Sequence, residues 1–108
     1  DIGNFMCADE VSEVAVGRVA SLAAHVHVKD FLWRDGSSPV NGQGWFPTRA
    51  GHLLRGTVLG HGVVKVKQCL EILKKAGYDG AVSVEFEGVE EPLQAIQWSL
   101  ENLREYIN

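Results

Sequence analysis

The sequence predicts an α/β fold built on a parallel sheet. Two segments, residues 24–29 (AHVHVK) and 80–87 (GAVSVEFE), alternate apolar and polar side chains. Three others, residues 9–22, 66–76 and 92–106, carry apolar residues at spacings a helix can bury. The resulting order is strand end, helix, strand, long connection, helix, strand, helix. Such βα repetition lays its strands parallel.

Residues 9–22 (DEVSEVAVGRVASL) open on Asp9 as the expected helix cap, with acidic residues in the first turn, where they complement the helix dipole. Val11, Val14, Ala15 and Leu22 supply its apolar contacts, and Gly17 weakens it. In residues 24–29, Ala24, Val26 and Val28 fall on one side of a strand, and His25, His27 and Lys29 on the other. Residues 30–62 are rich in Gly and Pro. A connection that long suits an active-site cover better than a simple link, and a short hairpin is expected between Trp45 and Leu59. Residues 66–76 (VKQCLEILKKA) form a helix whose buried stripe is Val66, Cys69, Leu70, Leu73 and Ala76, closed by Gly77. In residues 80–87, Val82, Val84 and Phe86 oppose Ser83, Glu85 and Glu87. Pro92 then starts a helix to about Tyr106, with Leu93, Ile96, Leu100, Leu103 and Ile107 as its apolar row.

These elements make only about two and a half βα units, whereas an eight-stranded barrel needs roughly 250 residues. The 108 residues are therefore expected either to be completed by another polypeptide segment or to form a smaller three-layer fold. The chain opens on Asp-Ile-Gly-Asn without an initiator Met, and a fragment, a processed chain or an excised domain is expected.

With 45% hydrophobic residues and three tryptophans, the composition is that of a folded domain. The net charge of -4 argues against nucleic-acid binding, which calls for a concentrated basic face. No apolar run approaches the roughly 20 residues that span a bilayer, and a cytoplasmic location is expected. Cys7 and Cys69 form no close metal-binding pair and read as free thiols in a reducing compartment.

The apolar faces of the two strands should meet the helices, which turns His25, His27 and Lys29 and then Glu85 and Glu87 towards the opposite face. An inward carboxylate at a strand end is costly unless paired or bound to a cation. Asp1, followed by Gly3 and Asn4, would close a third strand at the same end. Two carboxylates and one imidazole suit Mn²⁺ or Mg²⁺ best, with Co²⁺ or Zn²⁺ as alternatives. Each residue also has a plain structural reading: a packed histidine, a surface acid, a chain end.

Asp1-Ile-Gly-Asn4, His25-Val-His-Val-Lys-Asp30, Leu59-Gly-His-Gly62 and Gly77-Tyr-Asp-Gly-Ala-Val-Ser-Val-Glu85 resemble, in order and spacing, the sugar phosphate isomerase/epimerase superfamily of xylose isomerase-like TIM barrels. The resemblance covers essentially the entire chain. It implies the C-terminal portion of a (β/α)₈ barrel, from the end of strand 6 through helix 8, as a single partial domain over residues 1–108. It makes Asp1, His27 and Glu85 the metal ligands from the sixth, seventh and eighth strands, and Glu85 the acid/base as well. A fourth ligand, a glutamate from an earlier strand, has no counterpart in the chain.

By the same resemblance, the substrate is a small sugar or polyol, with or without a phosphate, and the reaction an isomerisation or epimerisation through an enediolate. Partners are the N-terminal barrel portion and, as an option, further copies in a homo-oligomer. Asn4, Lys29, Arg34 and His61 are candidate substrate contacts. Asn4 stands where ketose epimerases usually place a histidine, and Arg34 lies beside the position of their substrate arginine. His25 and Asp30 are candidate supports, with Asp30 expected to hold Lys29 or a ligand histidine. Trp33, Trp45 and Phe46 could stack on a sugar or cover the barrel mouth. Three other readings stay open: an inosose dehydratase-like lyase, an endonuclease IV-like hydrolase to which Arg49 and His52 loosely point, and a barrel fragment without catalysis.

Overall fold

A computed structural model describes residues 1–107. A 3-10 turn at Asn4–Ala8 leads into α1 (Ser12–Val19) and a second 3-10 turn at Ala20–Leu22. There follow β1 (Val26–Val28), β2 (Asp30–Arg34), β3 (Phe46–Pro47), β4 (Leu53–Thr57), α2 (Val66–Lys75), β5 (Val82–Val84) and α3 (Pro92–Ile107).

β1 and β5 pair in parallel, with Val26 opposite Val82 and Val28 opposite Val84, as βα repetition requires. The Asp1 segment continues this sheet on the other side of β1, where the Ile2 amide donates to the His27 carbonyl at 3.0 Å. Gly3 permits that approach, since a Cβ there would stand 2.5 Å from the Lys29 carbonyl oxygen.

Val26 and Val28 turn into a core shared with Ile2, Val16, Leu59, Val64, Val66, Cys69, Leu70, Leu73 and Leu103. The α2 stripe is buried as its spacing predicts, apart from Ala76, which is exposed one step past the helix. Gly77 ends that helix at φ 91°. Each buried Leu or Val contributes roughly 1.5–3 kcal/mol. The helices lie on one face of the sheet, and the body is only 18 Å across its thinnest axis.

Three expectations are corrected. Asp9 does not cap α1: the cap position is Val11, and Asp9 lies in the left-handed region at φ 58°. Its carboxylate instead accepts the Thr48 hydroxyl at 2.6 Å and the Ala50 amide at 2.7 Å. The 30–62 connection contains the expected hairpin as β3–β4, but it also contains β2, giving an antiparallel ribbon ordered β2-β4-β3. In α3 the buried positions are Ala95, Ser99 and Leu103. Leu93, at 79% exposure, Ile96, Leu100 and Ile107 face outward. Ser99 and Asn102 dictate this orientation by bonding the backbone of Leu59, the first through the amide and the second through the carbonyl.

Candidate metal centre

Parity and register bring the site together. His27 projects from the centre of β1 on the face opposite Val26 and Val28. Glu85 follows β5 directly, its position fixed by its amide donating to the Val28 carbonyl at 3.0 Å. Asp1 reaches the same place through the Ile2–His27 bond.

One ligand atom from each of Asp1, His27 and Glu85 lies within 4.8 Å of the others. His27 Nδ1 and Glu85 Oε2 are 3.2 Å apart. One Asp1 oxygen, Oδ1, accepts the amides of Gly3 at 2.7 Å and Asn4 at 2.8 Å. The other, Oδ2, is buried with no hydrogen-bond partner. An orphaned anionic oxygen is costly unless a cation completes it. Its place beside an imidazole and a second carboxylate fits a divalent ion.

Lys29 extends its chain on the same face. Its Nζ donates to Glu87 Oε1 at 2.6 Å and stands 3.7 Å from Glu85 Oε1. Burial pushes the Glu85 carboxyl up, but the Lys29 ammonium, a hydrogen bond with Glu87 and the His27 imidazole together outweigh it and hold the group below its ordinary value. At neutral pH Glu85 is therefore an anion, the form a metal requires.

The remaining candidates sit around this group in different ways. His25 Nε2 bonds Ser83 Oγ at 3.0 Å, and its ring meets that of His27 edge-on at 5.1 Å, so it flanks His27. Asn4 is exposed, with its amide on Asp1. Asp30 holds neither Lys29 nor a histidine: its oxygens accept the amides of Phe31, Gly60, Gly62 and Val64. The expectation fails because Asp30 lies on the other parity from Lys29 and points into the loop before α2. His61 is exposed at the tip of that loop. Arg34 reaches along the ribbon, donating to the Trp33 carbonyl and lying 5.6 Å from the Trp45 ring.

The sequence places Glu87 on the face of Glu85 without giving it a partner, and it singles out neither Ser83 nor Arg55. Glu87 shares the parity of Lys29, Ser83 that of His25, and both contacts follow once β1 and β5 are paired. Arg55 lies 4.9 Å from Trp45 on its own part of the ribbon, and no sequence period announced it. Trp33 packs against His52 at 5.1 Å.

Across residues 1–106 the sequence matches the family model of the xylose isomerase-like TIM barrel. The chain belongs to that family. The family includes isomerases, epimerases and endonuclease IV-like enzymes, many of them acting on sugars and many binding divalent metals. Comparison with curated proteins and with solved structures gave no match. No helix among the described residues is long and apolar enough to cross a membrane.

Proposed function

We propose that this family member takes part in isomerising or epimerising a small sugar or sugar phosphate, with Asp1, His27 and Glu85 holding a divalent ion, Mn²⁺ or Mg²⁺ in preference to Co²⁺ or Zn²⁺. The observation that carries the reading is the unpartnered Asp1 Oδ2 within one cluster of His27 and Glu85. A fourth carboxylate would come from an earlier strand. Support for a completing segment is the outward apolar row of α3 and the single strand neighbour of β5 among the described residues.

The ion would supply positive charge at the substrate oxygens, which favours ionisation of the adjacent C–H. Glu85, anionic at neutral pH, is placed to take that proton and to return it, and the substrate passes through an enediolate. Asp1 contributes a carboxylate already oriented by two amides. His27 is steered by its neighbours His25 and Glu85. Asn4 and His61 are exposed polar groups on the loops that follow the strands, suited to substrate hydroxyls, and Arg34 would need the ribbon to bring it over the site.

The test is metal analysis and product analysis on the protein in its full-length form, across ketoses, aldoses and inososes. One divalent ion per site and sugar interconversion without loss of water are expected. Glu85→Gln should reduce turnover by about 10²–10⁴, and Asp1→Asn should weaken metal retention. A dehydrated product would favour the lyase. Undiminished turnover in Glu85→Gln would remove the proton-transfer role.

A further inference from the structure

We propose that Lys29 is a positioning residue for the metal centre: its ammonium, anchored by Glu87, holds the Glu85 carboxylate turned so that Oε2 lies beside His27. This rests on the metal reading above and assigns Lys29 a task other than binding substrate.

The argument begins with burial. The Lys29 side chain is only 7% exposed, whereas His27 and Glu85 are 48% and 37% exposed. A lysine so enclosed is poorly placed to meet a ligand arriving from solvent, and its charge is tolerable only with partners in place. Those partners are on the neighbouring strand. Lys29 and Glu85 each lie one step beyond the last paired residues, Val28 and Val84, and so stand level with each other. Glu87, two residues on, shares the parity of Glu85.

The bonds then divide cleanly. Glu87 Oε1 takes the short contact at 2.6 Å and fixes the ammonium. The fixed ammonium attracts Glu85 Oε1 across 3.7 Å. This leaves Glu85 Oε2 directed to His27 Nδ1 at 3.2 Å, inside the ligand cluster. Phe31, with its ring centre 5.4 Å from Nζ, closes the other side of the ammonium. Lys29 thus selects which Glu85 oxygen faces the metal, as hydrogen-bonded outer residues do for ligands in general.

Two roles for Lys29 predict opposite signs. A positive charge that merely lies near the centre repels a cation, so its removal should tighten metal binding. A residue that orients a ligand should weaken binding when lost, typically by about 10–100-fold. Mn²⁺ affinity would be measured by titration calorimetry on the full-length protein, as wild type and as Lys29→Met, Lys29→Arg and Glu87→Gln, with folding followed by circular dichroism. The expected result is about 10–100-fold weaker Mn²⁺ binding in folded Lys29→Met, most of it recovered in Lys29→Arg, and a smaller loss in Glu87→Gln. Equal or tighter binding in folded Lys29→Met overturns the assignment while leaving the metal centre standing. If Lys29→Met does not fold, unchanged affinity in Glu87→Gln overturns it instead. A wild type that binds no Mn²⁺ brings down the metal reading itself, and this inference with it.

Discussion

The Asp30 carboxylate accepts the Gly62 amide at 3.0 Å, and through that bond the first residue of β2 fixes the loop that enters α2. The Gly60 and Val64 amides converge on the same carboxylate at 2.9 and 3.0 Å. Gly62 has no room for a side chain, because a Cβ would lie 2.3 Å from Asp30 Oδ1 and equally close to the Phe31 carbonyl oxygen. Asp30→Ala leaves these loop donors without their acceptor, and buried unpaired donors cost about 1–3 kcal/mol each. The Val64 donor is buried and those of Gly60 and Gly62 are part-buried, so the expected loss of unfolding free energy is about 1–3 kcal/mol, read by urea denaturation, and Gly62→Ala should also destabilise. A loss below about 1 kcal/mol in Asp30→Ala would mean that water replaces the carboxylate and that the clasp is dispensable.

Cys69 offers a check on the core. It is fully buried in the α2 stripe, and burial, with a smaller push from Glu13, raises its thiol to about 11. The thiolate is the reactive species, so Cys69 should resist alkylation by iodoacetamide at pH 8 until the protein unfolds. Cys7 is only half-buried. Mass spectrometry should find modification confined to Cys7 in buffer and present on both cysteines in urea. Equal labelling of the two in buffer would show that α2 does not hold Cys69 against the sheet.

How much of this was legible in the sequence depends on how local each cause is. β1, β5 and α2 follow from short-range periods, because Val26, Val28, Val66, Leu70 and Leu73 are buried at the spacings their elements impose. The grouping of His27 with Glu85 needed parity on two strands, and Asp1, a lone acid before Gly3 and Asn4, gained its assignment as a ligand from the family resemblance. Contacts across 58 residues were harder. Lys29–Glu87 and His25–Ser83 depend on the register between β1 and β5, which no local pattern states. Asp9 looked like a cap because acids favour helix starts, but Thr48 and Ala50, some forty residues on, competed for its carboxylate and won. The ribbon was obscured because Asp30–Arg34 does not alternate: Asp30 and Phe31 are both buried. In α3, Leu93 and Ile96 carry the right period for a face that the described residues leave open.

Acid should loosen the contacts that Glu90 makes between β4 and the start of α3. Glu90 Oε2 accepts the Thr57 hydroxyl at 2.6 Å and the Val58 amide at 3.4 Å. Burial raises the Glu90 carboxyl, but these bonds and the nearby Arg55 charge outweigh it, so the folded value lies below the ordinary 4.5. A carboxyl lowered on folding stabilises fully above its unfolded value and loses that contribution as pH falls through the folded one. Part of the acid denaturation should therefore occur below pH 4.5, and Glu90→Gln should make the melting temperature less dependent on pH in that window while lowering it at pH 7. Asp9, lowered chiefly by the Thr48 hydroxyl, acts with the same sign on the tie between the first 3-10 turn and the ribbon. Melting curves of wild type, Glu90→Gln and Asp9→Asn from pH 7 to pH 3 would separate the two. An acid limb as steep in Glu90→Gln as in the wild type would show that the Thr57–Glu90 bond carries no share of the acid transition.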